Sequence, residues 1–323
     1  TMSNTMSNTM TLTGEKPRSA LLMVIMMFAF VACTTPFMRR DSKGNRVVPK
    51  STAKQFSGIK KKLALLRFFN EAPYGGDDLA ITVTEEFRKE IGKTGEFIID
   101  EEAQVLFGPS KEIYAGGGVK LVQLSRKSKQ AGINMVIFGR VVEARVRERP
   151  DEIGIIRETK SHTEVKIEIK VFDVNANKEI LSETLQGFVD DNAYRMFATD
   201  PEELLAYRRD LLRYSGQVAA RMAIPRILSI TTKLDWVGRV AKIIGSKIYI
   251  NAGRDSGIQI SDILKVITEG QEVYDPETGA LIGVSKGEIK GTVEIIDYFG
   301  QDGAIAVLHS GGQVNEGDFV QLY

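Results

Sequence analysis

The chain holds a single cysteine, Cys33, two histidines, His162 and His309, and a single tryptophan. One cysteine forms no internal disulfide, which excludes the small disulfide-stapled scaffolds. Cysteine–histidine metal sites need several such ligands at close spacing, and neither histidine has a ligand-spaced neighbour, so no metal site is expected. Charge of one sign is not in excess either: 43 Lys and Arg stand against 42 Asp and Glu, a formal net charge of +1. That balance points neither to nucleic acid nor to a strongly acidic partner. Paired carboxylates occur at Glu85-Glu86 and Glu101-Glu102, but adjacent residues on a helix point apart. Gly116-Gly117-Gly118 lacks the Gly-Lys-Ser/Thr ending of a phosphate-binding loop. No catalytic residue, cofactor site or small-molecule substrate is expected, and the chain reads as a non-enzyme.

Long apolar runs are scarce as well. The one conspicuous stretch runs from Ala20 to Cys33, ALLMVIMMFAFVAC, just after Lys16 and Arg18. A membrane-crossing helix needs about 20 apolar residues, so this run is short for an anchor. A basic flank, a short apolar core and a small residue near the end are the order of a cleavable secretory signal. Its close, Phe30-Val31-Ala32-Cys33, resembles the bacterial lipobox, where a signal peptidase cuts before a cysteine joined to diacylglycerol. The resemblance implies a signal peptide over 1–32 and lipidation at Cys33. Thr34 is not the aspartate that holds enterobacterial lipoproteins back, which implies onward sorting to the periplasmic face of the outer membrane. Two other readings stay open: a signal peptide with an inert cysteine, and a retained, uncleaved helix.

Residues 33–58 carry Pro36, Pro49 and scattered basic residues without an apolar period, and read as a flexible tether. Folded pattern begins after it. Leu63-Ala64-Leu65-Leu66 is a continuous apolar run suited to a buried central strand. Leu79, Val83, Phe87 and Ile91 form one helix face, with Asp77 or Asp78 as its cap and Gly92 and Gly95 as its stop. The three glycines at 116–118 read as a loop, followed by a helix with Leu121, Leu124 or Ser125, and Ser128, that ends at Gly132. Met135 to Gly139 opens a strand in which Val142, Ala144 and Val146 alternate against Glu143, Arg145 and Arg147. In the next strand Val165, Ile167, Ile169 and Val171 face one way and Lys166, Glu168 and Lys170 the other, as in a sheet covered by helices on one side. Asp173 to Asn177 is a turn. Asp200-Pro201-Glu202-Glu203 opens the longest helix, whose stripe is Leu204, Leu211, Ser215, Val218 and Met222 and whose end is set at Pro225.

This α/β sandwich, over 59–230, resembles the periplasmic domain shared by the curli secretion lipoprotein CsgG, the TolB N-terminal domain and the middle domain of the flagellar H-ring protein FlgT. The phrases that carry the likeness are Lys62 to Leu66, Ala131 to Gly139 and Val171-Phe172-Asp173-Val174.

From 231 to 323 the texture changes to short strands between glycine-rich turns, which predicts a small all-β barrel or sandwich and gives the chain an α+β class. Asp275-Pro276-Glu277-Thr278-Gly279 reads as a hairpin turn; the ligand spacing of a calcium loop is missing. Gly238-Arg239-Val240, Ile250 to Gly253, Gly257-Ile258, Asp262, the Asp275 turn and Gly317-Asp318-Phe319-Val320 resemble the C-terminal domain of FlgT-like proteins. These resemblances imply a non-enzymatic outer-membrane lipoprotein, homo-oligomeric, in a flagellar basal-body ring needed for motility, with other envelope ring proteins as partners. A CsgG-like export component and a monomeric regulator that reaches a peptidoglycan enzyme are the alternatives.

Overall fold

A computed structural model describes residues 58–150, 159–191, 201–279 and 281–323. The signal peptide over 1–32, Cys33, the tether before Gly58 and the Asp200 cap lie outside the described residues.

Strand β1 (Lys61–Leu65) is the middle of the lower sheet, parallel to β3 (Phe97–Ile99) on one side and to β4 (Met135–Pro150) on the other. Its unbroken apolar run has a direct reason: Leu63 and Leu65 enter one core while Ala64 and Leu66 enter a second. A strand covered on both faces has no polar face to show. Strand β2 (Phe69–Asn70) pairs with β4, and β5 (Thr159–Asp173) and β6 (Lys178–Asp191) extend the sheet antiparallel, in the order β3-β1-β4-β5-β6.

Four helices cover this sheet. Helix α1 (Gly76–Thr94) and α4 (Pro201–Thr231) lie over one face, on Val165, Ile167, Ile169 and Val171, all fully buried. Helices α2 (Ala103–Phe107) and α3 (Ser110–Ala131) cover the other face at its lower end. Helices therefore flank the sheet on both faces there, not on one. The charged face of β5 stays wet only farther up.

Several local expectations change. Residues 116–118 lie inside α3 and form no loop, because Ser110 and Ile113 are buried before them and Leu124 and Ser128 after them. Tertiary packing at both ends outweighs about 1 kcal/mol of propensity per glycine. Gly75, with φ 91°, caps α1, leaving Asp77 and Asp78 in the first turn; Gly92 is helical and Gly95 ends the helix. A bulge between Val141 and Glu143 turns Val141 inward and leaves Val142 39% exposed. Helix α4 continues through Pro225, which sits on its exposed side while Ile224 and Ile227 are buried. Its buried stripe is Leu211, Leu212, Ser215, Ala219, Ala220 and Ala223; Met222 points out. These small residues let the helix backbone close on Gly187 of β6, where an added Cβ would stand 2.1 Å from the Ser215 carbonyl oxygen.

Six strands close the barrel in the order β12-β13-β8-β7-β14-β9. They are β7 (Gly238–Ile244), β8 (Lys247–Ile250), β9 (Ile263–Ile267), β12 (Ile289–Phe299), β13 (Gly303–Gly311) and β14 (Phe319–Leu322). Val240, Ile250, Leu264, Val266, Val293, Ile295, Ala304, Ala306 and Val320 fill it. A side hairpin, β10 (Glu272–Tyr274) and β11 (Leu281–Val284), carries the Asp275 turn, in which Asp275 accepts from the backbone N–H of Glu277 and Thr278. Those bonds hold the Asp275 carboxyl below its ordinary range.

Sheet and barrel belong to one compact unit. Ile59 packs against the barrel core, and the Lys60 N–H donates to Ser256 O at 2.8 Å before the chain enters β1. Asn134, buried at the start of β4, accepts from the Lys62 N–H at 2.9 Å and donates from Nδ2 to Val237 O at 2.6 Å. Lys62 Nζ reaches Asn251 O, Arg239 reaches Lys129 O, and Lys129 pairs with Glu269. The seam is thus hydrogen-bonded on both sides, mostly to backbone acceptors that do not titrate, with the Lys129–Glu269 ion pair beside them.

Candidate interaction surface

Cys33, the one functional residue expected from sequence, lies outside the described residues. Among the described residues no group of three His, Cys, Asp or Glu side chains could hold a metal, and no helix is long and apolar enough to cross a membrane. What the fold positions instead is the upper half of the sheet, remote from the barrel. At about 3.3 Å per residue, β4 with its 16 residues rises roughly 50 Å.

The wet face of this upper half is a grid of opposed charges. Arg140 pairs with Glu168 and Glu71, Lys166 with Glu143 and Glu164, and Lys170 with Glu179. The Lys166 ammonium holds the Glu143 carboxyl below its ordinary range, and Glu143 in turn raises Lys166. Burial works against the Arg140 charge, but its bond to Glu168 prevails and raises its pKa. At the lower margin of the grid, Arg140 lies 4.8 Å from the centroid of Tyr114, which also meets Phe69 and Phe138 edge-on. The Tyr114 hydroxyl is buried beside Glu168 without completing a hydrogen bond, and burial raises its pKa further than the nearby carboxylate does. A surface whose charges are already matched offers little net attraction through that face.

The edges differ from the face. Strand β2 ends with the Glu71 N–H bonded to Val141 O, and above that point β4 pairs only with β5 among the described residues. Strand β6 likewise pairs only with β5. Among the described residues, then, the outer edges of this upper three-stranded sheet pair with no further strand, and unpaired edges can template further strands. Beside the β4 edge lies a cleft of about 870 Å³, floored by Val146, Leu205 and Leu212 and flanked by Arg145, Arg147 and Arg209. From Ser182 to Val189, β6 carries one charged residue, Glu183. Charged residues that usually blunt an edge are sparse here.

Across the sheet tip the register aligns Arg147 with His162 and His162 with Asp190. His162 Nδ1 bonds Asp190 Oδ1, and its ring stacks on Phe188 at 6.3 Å. Sequence reasoning named none of these as functional. The low charge of the Ser182–Val189 stretch was visible, but which strand is an edge is a property of topology.

No family model matches the chain, and no curated protein matches it. Among solved structures, a hypothetical protein from Chlamydia trachomatis is similar at 14% identity over 53% of this chain and 97% of its own, with a TM-score of 0.31. A lipoprotein from Neisseria meningitidis is similar at 12% identity, covering 54% of this chain and 99% of its own, with a TM-score of 0.26. PelC from Paraburkholderia phytofirmans, described as a dodecamer, is similar at 14% identity over 52% and 95%, with a TM-score of 0.23. These likenesses are too weak to assign the chain to a family.

Proposed function

We propose that this protein is a non-enzymatic, lipid-anchored component of an oligomeric assembly in the bacterial periplasm. Anchorage rests on the lipobox-like Phe30 to Cys33 and would hold the protein to the outer membrane. The observation that carries the assembly reading is an upper sheet whose two outer strands pair with no further strand among the described residues, borne on a body whose sheet and barrel are locked by Asn134 and Lys62. A rigid body with laterally open edges suits repeated contacts between subunits. Ile59 and Lys60 pack and bond at the barrel seam, at the end of the sheet away from that upper part.

The finer reading is a ring of the flagellar basal body, needed for motility and built with other envelope ring proteins. It is supported by the FlgT-like phrases of both halves. Deleting the chromosomal copy and imaging motors by cryo-tomography tests it: loss of swimming and of a periplasmic ring is expected, and a normal ring with normal swimming rejects it. Intact mass of the mature protein tests the anchor, which requires a diacylated first residue at Cys33.

A further inference from the structure

We propose that the crevice beyond the carboxyl end of β1 binds a small monocarboxylate with an adjacent N–H donor, and that Arg67 takes the carboxylate. That is the chemistry of an N-acylated amino acid or of a peptide's C-terminal residue. The site goes beyond the assembly reading above and does not depend on it.

Topology makes the crevice. Strand β1 feeds α1, whose Leu79, Val83 and Phe87 pack on the face of Leu63 and Leu65. Its parallel neighbour β3 feeds α2, whose Ala103 and Phe107 pack with Ala64 and Leu66 on the other face. Where connections leave a parallel sheet on opposite faces, a crevice opens outside the carboxyl ends of the strands, and ligands of α/β proteins bind there. Here a cavity of about 270 Å³ lies between Ile81, Glu85 and Arg88 of α1 and Arg67, Gln104 and Pro109 of the strand connections. Ligand pockets usually start near about 300 Å³, so this one admits a small molecule or the end of a longer one.

Arg67 is the only charged residue between Leu63 and Phe69. Its backbone is fixed on every side. Leu66 and Phe68 beside it are buried, the Leu66 N–H donates to Ile137 O at 2.9 Å, and the Ser110 N–H donates to Arg67 O at 2.9 Å. The Phe68 N–H donates at 3.0 Å to Oγ1 of Thr84, a buried residue of α1 whose hydroxyl donates in turn to Ala80 O. The Arg67 side chain, by contrast, is exposed and meets no acceptor among the described residues. A guanidinium fork held by a rigid backbone and left without a partner is preorganised to bind one.

The neighbours narrow the ligand. Arg88 is already answered by Glu101 at 3.0 Å and Glu85 at 3.6 Å, which leaves Arg67 as the uncommitted cation of the lining. A carboxylate matches one guanidinium with two parallel bonds. A doubly charged phosphate would bring its second charge near Glu85 with no further free cation to meet it. Gln104 donates from Nε2 to Leu65 O at 2.8 Å, which anchors its side chain and leaves Oε1 to accept an N–H from the ligand. Ile81, 43% exposed, and Pro109 give an apolar wall for a small side chain.

Other features carry less. The charged sheet face is internally matched, and in the larger cleft beside β4 Arg145 pairs with Glu143 and Arg208 is already engaged. The cavity around Lys265 and Phe319 lies within the barrel seam.

Full chain in detergent is titrated at constant ionic strength with N-acetylalanine, its amide, trialanine and inorganic phosphate, read by ligand-observed NMR and by the thermal midpoint. N-acetylalanine is expected to bind saturably and to raise the midpoint as its concentration rises. The amide and phosphate are expected to bind about tenfold more weakly or worse. Arg67→Ala removes an exposed, unpaired side chain, so it should melt as wild type does without ligand and weaken N-acetylalanine about tenfold or more. Ile81→Asp, at a second exposed position, sets a carboxylate in the wall and should weaken it in the same sense. Trialanine binding at least as tightly as N-acetylalanine assigns the site to peptide ends, and N-acetylalanine binding alone assigns it to free small acids. No saturable binding of either carboxylate to the wild type overturns the site. So does equal binding of the amide or of phosphate, or undiminished binding of the carboxylate to Arg67→Ala.

Discussion

The lower and upper ends of the central sheet are built from the same strands and follow opposite rules. At the lower end both faces are covered, by α1 and α4 on one side and α2 and α3 on the other, and Asn134 and Lys62 bond across to barrel backbone. At the upper end one face is a part-buried charge grid, and the outer strands pair with no further strand among the described residues. The lower end makes its backbone and side-chain bonds to helices and barrel, whereas the outer sides of β4 and β6 at the upper end meet no further strand among the described residues. Stability should therefore rest on the covered faces, the α4 side of the upper sheet included, and recognition on what is left uncovered above.

The largest expected break lies where α4 meets the sheet. Gly187→Ala places a methyl group 2.1 Å from the Ser215 carbonyl oxygen and 2.5 Å from the Ala219 nitrogen, both backbone atoms of a helix that cannot yield locally. A loss of about 3 kcal/mol in urea unfolding is expected. Wild-type stability would mean that the helix can lift away, and that small residues on α4 do not set its distance from the sheet. Next comes the seam. Asn134→Ala strands the Val237 carbonyl and the Lys62 N–H at a buried site. Each stranded group costs at least about 1 kcal/mol, and since the Lys62 bond is only part-buried a combined loss of about 2 kcal/mol is expected, together with faster proteolysis between sheet and barrel. If cleavage there is unchanged, other contacts carry the lock.

The bulge in β4 gives the comparison within a single strand. Val141→Ser removes a fully buried side chain from the core and should cost about 2 kcal/mol. Val142→Ser, one residue on but turned outward, should change stability by less than about 0.5 kcal/mol. Equal effects from the two would mean that the bulge is absent in solution.

Alternation explains which of these features could be read from sequence. Val165 to Val171 announced a strand with one wet face because their apolar period is two, and Leu63 to Leu66 announced a doubly covered one because no period is present. The barrel strands were legible for the same reason, bounded as they are by glycine turns. Bulges defeat such reading: Val142 fits the alternation and is nevertheless outside, since one extra residue reverses every later side chain. Glycines 116–118 and Pro225 are local helix breakers overridden by buried residues on either side, which no local rule registers. The seam joins Asn134 to Val237, more than a hundred positions away in sequence, and how far the outer side of β4 stays paired depends on where β2 stops.

The smallest effect tests whether the lower end tolerates a buried charge. Asp173, at the base of β5, is buried, and its carboxylate accepts from the N–H groups of Asn175 and Ala176. Burial raises its pKa and outweighs these two bonds, which act to lower it. A carboxyl group whose folded pKa lies above its unfolded value adds stability when protonated. That contribution is complete below the unfolded value, about pH 4, and is lost as pH rises through the folded value. Asp173→Asn keeps the acceptor oxygen and removes the charge. The variant should match or exceed wild-type stability at pH 7, by no more than about 1 kcal/mol, and should lose the part of the wild-type decline that begins above about pH 4. The wet upper end should behave in the opposite sense: Glu143, held below its ordinary range by Lys166, contributes above its unfolded value and loses that contribution as pH falls through the folded one. Glu143→Gln should therefore remove a part of the acid-side loss, whereas Asp173→Asn removes a part of the loss on the rising side. Two substitutions on one sheet that flatten opposite limbs of the same pH profile would separate the buried end from the open one, and identical profiles would show that solvent reaches both alike.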